Sequence, residues 1–273
     1  MTASPDTSAI LVCAGSASRM QGKNKILLPL GTQTVVGTTM AAFQQCERIA
    51  EIVVVARPCD QETIAELAKQ GGITKLRQVV SGGATRQESV IQGLRAIAKE
   101  TAYIAVHDGA RPLVTPEQIS RTIRDASVFG GAVLGVPVKD TIKVVEDELI
   151  VDTPDRSKLY QIQTPQVFRR SIYFEAVDFA LEHQLDFTDD CQLVEAMGCK
   201  VFLTKGDYTN LKITTPEDID LAQLLLERRS IIAAELAELQ ELNRQNEELI
   251  NKIELARRKS SSFELRRCPE RYL

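Results

Sequence analysis

The sequence predicts an α/β protein built on a mostly parallel sheet, and three observations carry that expectation. Apolar, β-branched runs alternate with amphipathic stretches through the first 140 residues. Residues 139–165 then break the alternation around an acidic turn, and residues 231–258 contain neither Gly nor Pro. Repeated strand–helix alternation buries a parallel sheet between helices. The expected architecture is therefore Rossmann-like, with helices on both faces, a projecting β-hairpin arm and a C-terminal helical extension.

The elements follow in order. Strands are expected at Ile10–Ala14, Ile52–Ala56, Leu76–Val80, Tyr103–His107 and Ala132–Val138, where short β-branched runs are bounded by turn residues. Helices are expected at Val35–Cys46, Gln61–Lys69, Arg86–Lys99 and Glu117–Val128, where apolar residues recur at helical spacing. Thr141–Val145 and Leu149–Val151 flank Glu146-Asp147-Glu148 and read as the hairpin, with the arm spanning about 139–165. Helices resume at Arg170–His183 and Asp189–Met197, followed by a strand at Lys200–Thr204. Pro216-Glu217-Asp218 opens the last helix, since proline suits a first turn and acids suit the positive end of the helix dipole. Residues 1–229 read as the main domain and 230–273 as the extension. In the extension, Ile232, Leu236, Leu239, Asn243, Asn246, Ile250 and Ile253 alternate spacings of four and three, the seam of a short coiled coil, while Leu242, Leu249 and Ala256 form a competing stripe; 231–258 is expected to self-associate or dock on a partner, with a solvated helix or disordered tail as the alternative.

Composition narrows the function. The 273 residues are 44% hydrophobic, enough for a substantial core, and the net charge of −4 argues against a general nucleic-acid binder. No apolar run has membrane-spanning length, and Met1–Asp6 lacks the basic and apolar regions of a signal peptide. The six cysteines form no C-x-x-C pair and there are only two histidines, so a zinc cluster is not expected. The chain reads as a reduced, cytoplasmic protein without membrane or nucleic-acid partners.

In parallel α/β sheets, ligands bind beyond the carboxyl ends of the strands. The loop after the first strand, Ala14-Gly15-Ser16-Ala17-Ser18-Arg19 through Lys25, is small, polar and then basic, which suits close approach of backbone N–H groups to an anion. It matches neither the phosphate loop of P-loop nucleotidases nor the dinucleotide fingerprint; a solvated turn is the alternative. Ser81-Gly82-Gly83 through Arg86 and Ser89 again follows a strand and opens a helix. It suits a base, a ribose or a phosphate, although Ser89 also reads as an ordinary first-turn residue. Asp108, in His107-Asp108-Gly109-Ala110-Arg111, ends a buried strand, where an unpaired carboxylate is costly. A divalent cation would satisfy it, and so would a structural pair with Arg111. Mg²⁺ fits the sparse acid set, because it commonly takes one carboxylate plus phosphates and water. Arg156 and Lys158 read as arm charges, Thr188–Asp190 as a helix cap, and Lys212 as a cation between a strand and a helix.

Together these segments resemble the 2-C-methyl-D-erythritol 4-phosphate cytidylyltransferase family of the non-mevalonate isoprenoid pathway. The matching pieces, in order, are Ala14-Gly15, Arg19-Met20 and Lys25; Gly82-Gly83, Arg86 and Ser89; His107-Asp108 and Ala110-Arg111-Pro112; Asp140-Thr141; Asp155-Arg156; Gln163-Thr164-Pro165-Gln166; Thr188-Asp189; and Asn210 with Lys212-Ile213-Thr214. They span roughly Ser8 to Arg229. The resemblance implies that Arg19, Lys25 and Lys212 contact the phosphates of CTP and act in catalysis, and that Ala14, Gly15, Gly82, Gly83, Arg86 and Ser89 bind CTP. It further implies that Asp108 holds magnesium and that Arg111, Thr141, Arg156, Thr164 and Thr188 surround a sugar-alcohol phosphate. A homodimer whose arm reaches the partner's site is implied as well. Departures occur at Cys13, Ile26, Tyr160 and Asp190, where the family often has Ala, Gln, Trp and Glu; they leave the charged set intact. A ribitol-5-phosphate cytidylyltransferase is the near alternative. A catalytically silent nucleotide sensor or coiled-coil adaptor is the distant one.

Overall fold

The computed structural model describes residues 5–15 and 24–264, with side chains as far as residue 255. It divides into two compact units, one up to Gln223 and one from Leu224 onward.

The first unit is organised by a seven-stranded sheet. Its strands are β1 (Thr7–Val12), β4 (Ile49–Ala56), β5 (Leu76–Ser81), β6 (Tyr103–Asp108), β7 (Gly131–Pro137), β10 (Tyr160–Arg169) and β11 (Phe202–Lys205). Their order is β11-β7-β10-β6-β1-β4-β5. β1 pairs in parallel with β4 and β6, β4 with β5, and β7 with β11. Only β10 runs against its neighbours, β6 and β7. The two-stranded ribbons β2–β3 (Pro29–Leu30, Gln33–Thr34) and β8–β9 (Val144–Glu146, Leu149–Asp152) lie outside it.

Helices cover both faces. On one face, Met40 and Phe43 of α1 (Val35–Gln45), Ile64 of α2 (Gln61–Gln70) and Ile119 and Ile123 of α4 (Pro116–Phe129) pack with Leu11 and Val54. On the other, Val90 of α3 (Arg86–Ala96), Tyr173 of α5 (Arg170–Glu182) and Val194 of α6 (Asp190–Glu195) pack with Ile10, Val55 and Phe168. The helix starts are chemically marked. Thr34, Thr85, Thr115 and Asp189 each accept a backbone N–H from the first turn, and Thr115 with Gln118 completes a capping box.

β10 corrects the expectation that 139–165 forms one hairpin arm. The arm proper is the tight β8–β9 ribbon, and residues 160–165 already belong to the main sheet. Gln161, Gln163 and Gln166 make this strand polar, and Pro165 interrupts its ladder: the pairing with β7 shifts register between Ile162 and Gln166. Those features hid a central strand from pattern reading. Helix α3 also ends three residues earlier than expected, at Ala96.

From Leu224 onward the second unit continues helix α7 (Pro216–Glu264), whose start, as expected, is Pro216-Glu217-Asp218.

Candidate active site

The carboxyl ends of β1, β4, β5 and β6 converge on an open cleft of about 550 Å³, lined among others by Ala14, Gly15, Lys25, Arg86, Asp108 and Lys212. Each wall has a local cause. β1 ends at Val12, and Cys13 N–H continues the ladder to the Val55 carbonyl (2.7 Å), which places Ala14 and Gly15 at the rim. Gly82 stands opposite: a Cβ there would lie 2.3 Å from the Ala14 Cβ, so only glycine allows the two loops to meet. Gly109 answers the same demand beside Cys13, whose sulfur would be 2.2 Å from an added Cβ.

Lys25 is positioned by a short brace. Residues Lys25–Leu27 form a 3₁₀ turn capped by Asn24. The Asn24 side-chain amide donates to Asp60 (2.7 Å), and buried Asp60 also takes the Arg57 Nε–H (2.6 Å). The Lys25 ammonium donates to the Ile213 carbonyl (2.8 Å), one residue from Lys212. The segment carrying Lys212 is itself latched to the end of β6. Ile213 N–H bonds the Ala110 carbonyl (2.8 Å), Arg111 Nη1–H bonds the Asn210 carbonyl (2.9 Å), and the fully buried Asn210 amide bonds the Thr164 carbonyl (3.0 Å).

Asp108 is the centre of charge. Its Oδ2 lies 2.9 Å from Lys212 Nζ and 3.5 Å from Arg111 Nε, and its Oδ1 lies 3.9 Å from Arg86 Nε. Burial alone would raise its pKa, but Lys212, Arg86 and Arg111 outweigh burial and bring the carboxyl down to about 2. It is ionised throughout the physiological range. The pair with Arg111 weighed against a metal role is present, but it is one of three. Arg86 is held from behind by Asp190 (2.6 Å), which also accepts the Tyr173 hydroxyl. Burial works against the Arg86 charge, and Asp190 more than compensates, raising its pKa.

Among the described residues no cluster of three or more His, Cys, Asp or Glu could cage a metal. The donor set at Asp108 fits a cation that brings most of its ligands from phosphates and water, because one ionised carboxylate faces the cleft.

The other expected site residues fall into groups. Ser89 lines the cleft but is 3% exposed; its hydroxyl donates to the Thr85 carbonyl and accepts the Gly83 N–H, so it holds the glycine loop in shape. Thr164 is 4% exposed beneath the floor, where its hydroxyl accepts the Asp108 N–H (3.0 Å) and pairs with His107 Nδ1 (2.9 Å). It therefore fixes Asp108 from below. Thr188 shares its hydroxyl with Gln192 at the start of α6, as a helix-capping segment would. Thr141 and Arg156 are exposed near the arm, with Arg156 Nη1–H on the Lys139 carbonyl (2.8 Å), and neither lines this cleft. Arg19, with Ser16–Lys23, lies outside the described residues. Sequence reasoning missed Asn24, Asp60, Tyr173, Asp190 and His107 as supports. His107 and Asp190 appeared in the motif segments without a supporting role, and no local pattern marked the others.

His107 makes a measurable prediction. Its ring is fully buried, 4.9 Å from the Phe43 ring, with Nε2 on the Arg111 carbonyl (3.2 Å). Burial drives its pKa from 6.5 down to about 4, against the opposing pull of Asp108. The imidazole is neutral in the folded chain, whereas the unfolded chain takes up a proton below pH 6.5. Stability at this residue is therefore complete above pH 6.5 and falls as pH drops toward 4. At about 1.36 kcal/mol per unit, the loss between pH 6.5 and 5 is about 2 kcal/mol. Urea unfolding of His107→Gln should lack that slope; an unchanged slope would remove His107 as its source.

Comparison with known proteins adds an independent line. The family model for 2-C-methyl-D-erythritol 4-phosphate cytidylyltransferase matches residues 7–228. The chain is 45% identical over 226 residues to a curated protein of that name from Caldanaerobacter subterraneus subsp. tengcongensis, covering 82% of this chain and all of the relative. It is 43% identical to one from Desulforamulus reducens, covering 81% and 96%. Among solved structures, 4-diphosphocytidyl-2C-methyl-D-erythritol synthase from Anaerococcus prevotii superposes with a TM-score of 0.73 at 32% identity, over 81% of this chain and 96% of the other. The Thermus thermophilus 2-C-methyl-D-erythritol 4-phosphate cytidylyltransferase does so with a TM-score of 0.66 at 34% identity, over 83% and 100%.

Proposed function

The chain belongs to the 2-C-methyl-D-erythritol 4-phosphate cytidylyltransferase family, and we infer from this that it transfers CMP from CTP to that sugar-alcohol phosphate, releasing pyrophosphate. It is an enzyme of isoprenoid biosynthesis, not a silent sensor. The observation that supports placing the reaction in this cleft is the convergence of Lys25, Arg86, Asp108 and Lys212 on it, with each side chain braced by other parts of the fold.

A phosphate oxygen of the acceptor attacks the α-phosphorus of CTP. The new O–Pα bond forms as the bond from Pα to the bridging oxygen breaks, and the electron pair leaves with pyrophosphate. The nucleophile is already an anion, so no general base is required. The barrier lies in bringing anions together and in holding the charge of the transition state, which positioned cations address. Lys25 and Lys212 carry that charge, together with Arg19. Ala14, Gly15, Gly82, Gly83 and Ser89 shape the nucleotide loops, and Arg86 supplies a fixed cation beside them. Asp108 would hold Mg²⁺, which when bound neutralises phosphate charge and helps to align the reacting groups. Thr164 and Arg111 set the position of Asp108, and Thr188 borders the acceptor side.

Thr141 and Arg156 are assigned to the acceptor phosphate across a homodimer. Both are exposed near the arm and away from their own cleft, and Val145, Leu149, Ile150 and Val151 leave the β8–β9 ribbon with apolar side chains 51–70% exposed. An apolar patch of this kind marks a protein contact. Arg156→Ala should raise KM for the sugar phosphate more than KM for CTP; a larger effect on CTP would move Arg156 to the other ligand. The function itself is tested by Mg²⁺-dependent pyrophosphate release from CTP with 2-C-methyl-D-erythritol 4-phosphate. Strong turnover with ribitol 5-phosphate and none with the methylerythritol compound would overturn the substrate.

A further inference from the structure

The helix beyond the catalytic unit carries a seam of exposed apolar side chains. Ile232, Leu236, Leu239, Ile250 and Ile253 are between 44% and 56% exposed, and they occupy the core positions of a heptad repeat. The opposite side is polar and internally paired: Arg244 bonds Glu241 (2.6 Å) and also Glu248, one turn to either side. A helix with a wet outer face and a dry inner one is built to be covered on the dry side.

The order of residues along the seam says by what. Between Leu236 and Ile253 it reads two apolar layers, then Asn243 and Asn246, then two apolar layers. It is the same from either end about a point between Arg244 and Gln245. An apolar partner would leave both asparagine amides buried and unpaired, at the full cost of their desolvation. A second copy of the same helix supplies the matching amides.

Orientation follows from the flanking positions. In a parallel pair, Leu242 would face Glu247 of the partner and Leu249 would face the partner's Glu254, which matches apolar groups with charged ones. In an antiparallel pair, core positions of the two types face each other. Leu236 then meets the partner's Ile253, Leu239 meets the partner's Ile250, and Asn243 meets the partner's Asn246. On one flank Leu242 lies beside the partner's Leu249 and widens the apolar strip, while on the other Gln240 lies beside the partner's Glu247. We propose that residues 236–253 form an antiparallel, two-fold symmetric helix pair with a second copy of this chain. The seam of 18 residues from Leu236 to Ile253 is about 27 Å long, too short to be a robust coiled coil alone, so the pair depends on the rest of the chain for effective concentration. Nothing in this pairing rests on the catalytic reading.

The test uses the full chain with Cys59, Cys199 and Cys268 replaced by serine, leaving only the buried cysteines Cys13, Cys46 and Cys191. Leu239→Cys and Ile250→Cys are prepared as separate variants with tags of different mass, then mixed and oxidised. Disulfide-linked dimers should form between the two variants and be lost when either is oxidised alone. Adding Leu236→Asp to both should abolish the cross-link while CTP-dependent turnover is retained. Cross-linking of either variant with itself would overturn the antiparallel arrangement. Absence of cross-links in all mixtures would show that a second copy does not cover the seam.

Discussion

Lys212→Ala and Lys25→Ala should each lower kcat by about 10²–10³-fold, the usual consequence of removing one preorganised charge contact from a transition state. Lys212 is set 2.9 Å from Asp108 on a segment tied to the end of β6, and Lys25 is tied by its own ammonium to the Ile213 carbonyl. Both residues therefore line the cleft with their ammonium groups already anchored before any substrate binds, ready for the phosphates of two polyanionic substrates. Lysines on a solvated surface would tolerate truncation with almost no change. The distinction shows in steady-state kinetics, with circular dichroism confirming that both variants fold. Lys212→Arg should recover part of the loss, since it keeps the charge but not the compact geometry of an ammonium. Near-normal kcat in both alanine variants would remove the lysines from the reaction.

Asp190→Ala should be the most destabilising single change around the site, by about 3–5 kcal/mol, because it strands a charge that the fold has largely taken out of water. The Arg86 side chain is 25% exposed and that of Asp190 5%, and Asp190 also receives the Tyr173 hydroxyl from a fully buried ring. Removing the carboxylate leaves a guanidinium and a phenol without their acceptor, and Asp108 becomes the nearest anion available to Arg86. Denaturant unfolding measures the loss. Asp190→Asn separates its parts: an amide can still accept a hydrogen bond but cannot neutralise Arg86, so it should fall between wild type and alanine. If Asp190→Ala costs less than 1 kcal/mol by the same measurement, the Asp190–Arg86 pair does not carry the stability that its burial implies.

The alternation of β-branched runs with amphipathic stretches was enough to place β1, β4, β5, β6 and β7 and the helices between them, because a residue's side of a buried sheet is written in local periodicity. The cleft-lining residues Ala14, Gly15, Lys25, Gly83, Arg86, Asp108 and Lys212 were also legible, since each lies just past a strand end or opens a helix. Local pattern could not place β10. Its glutamines and Pro165 resemble a loop, and only pairing with β6 on one side and β7 on the other makes it a strand. Nor could it separate side chains that face the cleft from those that build it. Thr164 and Lys212 carry similar weight as motif letters. Tertiary contact alone puts the Thr164 hydroxyl under Asp108 and the Lys212 ammonium above it. The same holds for Asp190, which reads as a helix-start residue until Arg86, 104 positions away in sequence, is found against it. Periodicity records which face of an element is buried, whereas charge compensation between distant segments exists only once the chain has closed on itself.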